Sequence, residues 1–248
     1  MLAQPGETVD KPRPQVPWRL QDVGLTVAWV LAVLLHTSIV LGVVIVVGDF
    51  GEDAELAGLF GVMLAVEAAM LAATAWFTVG RYGCGWRALG FRPTRSGGWV
   101  VALAVAGAAL FAFYVTLGIY FSIVELAGAD ALKPESAVPE ESFDNVLVLS
   151  LAFIVVSVAA PLAEETFFRG FLFPALRSRW GTLWAALASA LLFAAVHFDP
   201  GLIVPFTVIG LLLVWAYVVT GSLWTAIFAH FGFNTISLVV GVTVGGGS

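Results

Sequence analysis

Long apolar stretches separated by short polar segments dominate the chain. A transmembrane helix needs about 20 mostly apolar residues, and the pattern predicts seven such spans. They cover residues 23–47, 56–79, 98–123, 146–173, 183–198, 202–219 and 223–244. Helices are expected because lipid offers no hydrogen-bond partner to a free backbone group. We therefore predict an all-α, polytopic transmembrane helix bundle of about seven spans.

The polar segments divide the chain into four parts. Residues 1–22 form a polar N-terminal segment that contains prolines, and residues 23–123 carry the first three spans. Residues 124–145 form an acidic loop, and residues 146–248 contain the remaining four spans. The first span in this last part is interrupted by charged residues, so we look for the chemistry of the protein there.

Composition indicates a lipid environment. Hydrophobic residues make up 60% of the 248 and charged residues only 11%, whereas about a quarter of a soluble domain is charged. The mean hydropathy is +0.98. No basic tract interleaved with aromatic residues points to nucleic acid, so the expected partner is the lipid bilayer. The single cysteine, Cys84, excludes an internal disulfide and a cysteine metal cluster.

Basic and acidic loops alternate along the chain. Basic residues precede the first span, separate spans two and three, and separate spans four and five. They are Lys11, Arg13, Arg19, Arg81, Arg87, Arg92, Arg95, Arg177 and Arg179. The loops around residues 49–55 and 124–145 are acidic. Because positive loops face the cytoplasm, we predict a cytoplasmic N-terminus and an external acidic loop.

A few polar side chains lie inside the predicted spans. An ionisable group at that depth costs about 2.5 kcal/mol or more and is a candidate for function. The set comprises His36, Glu67, Glu164, Glu165, Arg169, His197 and His230, with the amide of Asn234. His36 is interpreted as a packed or interface histidine. Glu67 could line a substrate cavity or bond to a neighbouring helix, and we favour the second interpretation.

The first group of interest is the pair Glu164 and Glu165, followed by Arg169. Glu165 and Arg169 have the i,i+4 spacing of a helical ion pair. That pairing leaves Glu164 on a face about 100° away, where it could serve as a general base or acid. The alternative is a salt-bridge network that holds helices together, and the motif alone does not separate the two.

The second and third groups are Phe193 with His197, and His230 with Asn234. The i,i+4 spacing places His230 and Asn234 on one helix face, where both can donate hydrogen bonds to an oxyanion. A packed histidine and an interhelical hydrogen-bond pair are the structural alternatives. Taken together with Glu164, these groups supply what water attack on an amide requires.

The three pieces resemble the signature of the CAAX protease and bacteriocin-processing family, also called the Abi family. Its pattern is Glu-Glu-x-x-x-Arg, then Phe-x-x-x-His, then His-x-x-x-Asn, and the chain matches it at residues 164–169, 193–197 and 230–234. Residues 86–91 also look like a loop of this family. The resemblance therefore covers about residues 161–234 and the short loop before them.

The resemblance implies an intramembrane endopeptidase with its active site inside the bundle. By analogy, Glu164 activates water with the help of His197, while His230 and Asn234 stabilise the oxyanion. The implied substrate is a membrane-associated or lipidated peptide. The implied location is a bacterial plasma membrane. The sequence carries no information on the oligomeric state.

Supporting roles and a metal question follow from the same resemblance. Glu165 and Arg169 would orient the site together with Phe193. Members of the family have also been described as metalloproteases, in which case Glu164, His197 and His230 would bind a divalent metal such as zinc. Because the sequence lacks His-Glu-x-x-His and asparagine is a poor zinc ligand, we assign no firm cofactor and favour metal-free activation of water.

Two other functions stay open. One is a non-catalytic membrane immunity or scaffold protein of the same family. The other is a small proton-coupled transporter that uses Glu67 and Glu164 as proton carriers, and it ranks last because no repeat symmetry is evident.

One geometric difficulty faces the peptidase hypothesis. Glu164 lies late in a span that runs inward, and His197 lies late in the next span, which runs outward. The two side chains meet only if the fourth span is long or tilted, or if the fifth begins deep in the membrane.

Overall fold

The computed structural model describes residues 15–48, 50–95, 97–133 and 138–245. Within these ranges the chain forms eight α-helices and no strand. The helices are α1 (Leu20–Val47), α2 (Glu52–Ala75), α3 (Gly98–Leu126), α4 (Val146–Ala152), α5 (Ala160–Glu165), α6 (Phe173–Ala195), α7 (Ile203–Thr220) and α8 (Leu223–Gly245). The all-α prediction is confirmed. Most of the N-terminal segment, including Lys11 and Arg13, and residues 134–137 of the acidic loop lie outside the described residues.

Wide helical turns interrupt the α-helical geometry of the described chain. Trp76–Gly80 is a π-helical turn after α2, Phe153–Ala159 joins α4 to α5, and Thr166–Leu172 joins α5 to α6. The last two segments are each followed by a proline at the start of the next helix, Pro161 and Pro174. Proline removes one hydrogen bond and crowds the preceding turn, and a wider turn relieves that conflict. Such π-bulges are frequent at functional sites.

Six stretches among the described residues are long and apolar enough to cross a membrane, compared with the seven spans predicted. The difference arises because Val146–Ala195 runs as one helical stretch of 50 residues that includes predicted spans four and five. Gly181 breaks it with φ 77° and ψ 177°, a conformation that glycine adopts without steric strain. The rings of Phe168 and Phe193 lie 5.3 Å apart on the two arms, so the arms pack side by side.

The core of the bundle lies in the C-terminal helices. About two-fifths of the most apolar window is buried in each of the last three candidate spans, whereas none of the corresponding window of α1 is buried. The α1 helix is attached near its N-terminal end, where Trp18 donates a hydrogen bond to the carbonyl of Phe171 at 3.0 Å. Asp22 accepts one from the hydroxyl of Tyr82 at 2.6 Å and lies 3.3 Å from the guanidinium of Arg81.

The short helical turn Trp86–Leu89 and the residue after it contact the C-terminal helices. The backbone N–H of Leu223 donates to the carbonyl of Gly90 at 2.8 Å, which links this loop to the start of α8. A Cβ on Gly170 would lie 2.8 Å from the carbonyl oxygen of Leu89. Glycine at position 170 therefore allows the loop to approach the Thr166–Leu172 turn closely.

Candidate active site

A buried ion pair lies at the centre of the C-terminal helices. Arg169 and Glu165 are fully buried, and one guanidinium nitrogen lies 2.6 Å from Oε1 of Glu165, so the predicted i,i+4 pair is present. The other terminal nitrogen of Arg169 donates to the carbonyl of Gly210 at 3.2 Å. The guanidinium also lies 4.5 Å from the ring centroid of Phe193. These contacts tie together the Thr166–Leu172 turn, α6 and α7.

His230 on α8 links this ion pair to the second carboxyl group. Its Nδ1 lies 3.0 Å from Oε1 of Glu165, and its Nε2 lies 3.9 Å from Oε2 of Glu164. Because the carboxylate paired with Arg169 can only accept, Nδ1 of His230 is the donor. In a neutral imidazole this leaves a lone pair on Nε2, directed towards Glu164.

Glu164 lies on a different face of the helix from its neighbour Glu165, as the spacing of about 100° per residue predicted. Its side chain is 15% exposed, whereas that of Glu165 is completely buried. Its Oε2 is itself buried and has no hydrogen-bond partner within the described ranges. A carboxylate with an unused acceptor atom is suited to bind or deprotonate a water molecule.

His197 lies just beyond the end of α6. Its Nδ1 is 2.8 Å from the carbonyl oxygen of Phe193, which can only accept, so Nδ1 carries the proton in a neutral ring. The ring packs edge-on against Phe206, with centroids 4.4 Å apart. The remaining nitrogen, Nε2, therefore has a lone pair that can accept a proton.

The depth difficulty raised by the sequence is resolved by the length of the helical stretch. The helix does not end at Phe173, the predicted end of span four, but continues to Gly181. Glu164 and His197 lie 17 and 16 residues from Gly181 on the two arms. At 1.5 Å per residue these separations are roughly 25 and 24 Å, which places the two side chains at about the same level.

Asn234 lies one turn after His230 on α8. Its amide nitrogen donates to the carbonyl of Val156 at 2.6 Å, and Val156 belongs to the π-helical turn Phe153–Ala159. A side-chain amide has two N–H groups, so this bond leaves one of them for another acceptor. The spacing of His230 and Asn234 in the sequence did not predict this contact with Val156.

These groups line one cavity of about 330 Å³. Its polar lining residues are Glu67, Glu164, His197, His230 and Asn234. All four predicted catalytic residues thus face one space, while Glu165, Arg169 and Phe193 lie behind it. Their catalytic and supporting roles stay predictions.

The N-terminal helices provide the opposite wall of this cavity. The lining side chains from α1 and α2, apart from Glu67, are Val27, Val30, Leu31, Leu34, Met63, Val66 and Met70. Apolar residues in a membrane span carry no signal that separates a cavity wall from a lipid-facing surface, so sequence analysis missed them. Oε2 of Glu67 is buried without a hydrogen-bond partner in the described chain, which supports the cavity-lining interpretation over the one that we favoured.

The residues do not form a ready metal site. No group of three or more His, Cys, Asp or Glu side chains is arranged to hold a metal ion in the part of the chain that the structure describes. Nδ1 of His197 and Nδ1 of His230 both bond to protein oxygens. These bonds leave Nε2 of each ring available, as in metal-bound histidines, so the possible zinc set of Glu164, His197 and His230 stays a prediction, and we derive no step through a metal.

The C-terminal part of the chain is similar to proteins of a known family. Residues 146–236 match the model of a family described as Type II CAAX prenyl endopeptidase Rce1-like. The C-terminal part of the chain resembles these endopeptidases. The resemblance predicted from the three motifs is thereby confirmed. The match ends before α8 does and does not include α1, α2 or α3.

Two curated proteins are similar to parts of the chain. A "Putative membrane peptidase YdiL" from Bacillus subtilis is 31% identical over 106 residues, which are 43% of this chain and 43% of that protein. An "Uncharacterized 24.3 kDa protein" from Escherichia coli is 30% identical over 129 residues, 50% of this chain and 59% of that protein. The matched region thus spans about half the length of these relatives. No solved structure shows a significant match.

Proposed function

We propose that the chain is an intramembrane endopeptidase that hydrolyses a peptide bond of a membrane-associated or lipidated substrate. One observation carries the proposal: polar side chains from three separate helical segments, Glu164, His197, His230 and Asn234, line a single cavity inside the bundle. The match to the Rce1-like family and the name of the Bacillus subtilis relative support a protease-like role.

Glu164 and His197 are proposed to activate the attacking water. Glu164 lines the cavity, and its Oε2 has no hydrogen-bond partner among the described residues. Nε2 of His197 has a lone pair because Nδ1 donates to Phe193. Both groups can therefore accept hydrogen bonds from one water molecule, and Glu164 takes its proton as the oxygen attacks the carbonyl carbon. General-base catalysis of this kind contributes about 10²- to 10⁴-fold to the rate.

Asn234 and His230 are proposed to stabilise the oxyanion at different stages. Asn234 has a second N–H group in addition to the one bonded to Val156. Neutral His230 has no proton on Nε2, so it becomes a donor there only when it takes the proton that Glu164, 3.9 Å away, has removed from water. It returns that proton to Glu164 when the oxyanion collapses. The carboxylate of Glu165, 3.0 Å from Nδ1, stabilises the imidazolium that then forms. Glu165 and Arg169 therefore act as positioning residues.

The walls of the cavity support the proposed substrate class. Seven apolar side chains from α1 and α2 face the polar groups, so the cavity suits an apolar peptide segment or a lipidated one. From the alternation of basic and acidic loops we further propose that the N-terminus lies on the cytoplasmic side, and from the bacterial relatives that the membrane is a bacterial plasma membrane.

A cleavage assay in liposomes tests the proposal. The purified full-length protein is incubated with a library of prenylated and unprenylated hydrophobic peptides, and fragments are detected by mass spectrometry. We expect wild-type protein to release fragments and Glu164→Gln to lose at least about 10²-fold in rate. The matched control is Glu125→Gln, which changes an exposed glutamate at the end of α3 and should cleave normally.

The same variants separate the alternatives that the sequence left open. A folded Glu164→Gln protein that cleaves as fast as wild type would rule out the proposed chemistry. A protein that cleaves nothing in the library but carries protons into liposomes would favour the transporter. A folded Glu164→Gln variant that keeps full activity in an immunity assay would favour the non-catalytic alternative.

A further inference from the structure

Glu67 is an ionisable side chain on an otherwise apolar wall. On α2 it lies among Met63, Val66 and Met70, which share the helix face that lines the cavity. No other ionisable side chain of α1 or α2 lines this cavity in the described chain. Placing an ionisable group at such a position is costly, so it is a functional candidate by default. None of the three motifs includes it.

The environment of Glu67 offers no charged partner to its buried oxygen. Oε2 of Glu67 has no hydrogen-bond partner among the described residues. The guanidinium of Arg169 is bonded to Glu165 and to the carbonyl of Gly210. A residue that served only to join helices would be expected to use such a partner, so a structural role does not account for Glu67.

Two carboxyl groups, those of Glu67 and Glu164, therefore face one enclosed apolar cavity. Two carboxylates in such a space repel each other, and a proton on one of them removes the repulsion. Glu164 lies among the motif residues, with its Oε2 3.9 Å from Nε2 of His230 and next to the Glu165–Arg169 pair. Glu67 shares its helix face with Met63, Val66 and Met70, which leaves it as the candidate to carry the proton.

We propose that Glu67 is a further catalytic residue, the general acid that protonates the leaving amine. The inference rests on the proposed peptidase function. Helices α2 and α5 pack against each other and both line the cavity, so a peptide bond held there can meet both carboxyl groups. Neither His197 nor His230 brings a proton on Nε2 when neutral, so Glu67 supplies the acid that these histidines lack.

The proton balance of this mechanism closes. One proton of the attacking water moves to Glu164 as the new C–O bond forms. The C–N bond then breaks, its electron pair stays on nitrogen, and the proton of Glu67 moves to that nitrogen. The products are a carboxylic acid and an amine. The proton on Glu164 returns to Glu67 through cavity water, which restores the starting state without any other reactant.

The groups that face Glu67 define the expected pH dependence. They are Glu164 on α5, His197 after α6 and His230 on α8, with Arg169 behind them and bonded to Glu165. The α1 helix and the Phe153–Ala159 turn contribute valine and leucine to the cavity. We expect kcat of the wild-type protein to fall at low pH, where the base is protonated, and at high pH, where the acid has lost its proton. We expect Glu67→Gln to lose the fall at high pH because it removes the acid.

A leaving-group comparison in liposomes tests the proposal. One peptide that the wild-type protein cleaves is made in two forms, one with the scissile amide and one with a thioester at the same bond. A thiol has a pKa of about 8.5 and leaves without a proton donor. We expect Glu67→Gln to lower kcat on the amide by about 10²-fold or more and to leave kcat on the thioester nearly unchanged. Glu164→Gln should lower both, and Glu52→Gln, an exposed change on the same helix, should lower neither.

The outcomes separate this inference from the proposed function. Equal loss by Glu67→Gln on amide and thioester would overturn the acid role, as would an amide rate equal to wild type. If Glu67→Gln does not fold in a thermal-unfolding assay, Glu67→Asp replaces it. That variant keeps a transferable proton, and we expect its kcat to fall at both low and high pH. A wild-type protein that cleaves neither form, or a Glu164→Gln protein that cleaves both, would overturn the peptidase function and with it this role.

Discussion

The C-terminal helices and the N-terminal pair α1 and α2 contribute to one cavity in different ways. The C-terminal part contains the buried Glu165–Arg169 pair and the residues around it, and it is the region that matches the Rce1-like family. The α1 and α2 helices lie outside that match and present apolar side chains and Glu67. The proposed catalytic groups thus belong mainly to an internally hydrogen-bonded core, while α1 and α2 supply much of the apolar lining of the cavity.

The contribution of the buried ion pair to the stability of the core can be tested by mutation, and here we expect the largest effect. Arg169→Met leaves Glu165 buried without its cation, and removal of one partner of a buried pair typically costs about 3–5 kcal/mol of stability. The free energy of unfolding can be measured by denaturation in mixed micelles. Arg87→Met, an exposed change, should alter it little.

A double variant sharpens the same prediction. Glu165→Gln combined with Arg169→Met removes both charges, so it should recover much of the stability lost in the single variant. A double variant as unstable as Arg169→Met would show that packing of the guanidinium against Phe193, rather than charge pairing, is what stabilises the core.

The second prediction concerns the contact between α8 and the π-helical turn. Asn234→Ala removes both the bond to the carbonyl of Val156 and the proposed oxyanion donor. Loss of one such donor lowers kcat by about 10²- to 10³-fold, which a cleavage assay measures. Ser237→Ala, one turn further along α8, is the control, and a rate in Asn234→Ala equal to that of wild type would contradict the assigned role.

We expect the smallest effect from a change in the apolar cavity lining that α1 provides. Leu31→Ala removes apolar surface from the cavity, and a loss of about 1–2 kcal/mol of substrate contact corresponds to a roughly tenfold rise in KM with kcat held. Leu35 does not line the cavity and is 63% exposed, so Leu35→Ala should change neither constant. A fall in kcat for Leu31→Ala would mean that the wall also positions the catalytic groups.

The sequence by itself determined the features that depend on local spacing. Hydropathy predicted the helical spans, and the i,i+4 rule predicted both the Glu165–Arg169 pair and the shared face of His230 and Asn234. These predictions succeeded because the geometry of a single helix sets which of its residues are neighbours. The count of spans differed only where the chain turns at Gly181 without leaving a long polar loop.

Only the tertiary structure decided which helices face one another. It showed that the helix continues past Pro174 and so places Glu164 and His197 at one level, and that Glu67 and the apolar face of α1 line the same cavity. It also directed the Asn234 amide to a carbonyl in a π-helical turn. Contacts of this kind depend on the packing of segments far apart in the chain. An apolar side chain gives the same sequence pattern whether it contacts lipid, another helix or a substrate.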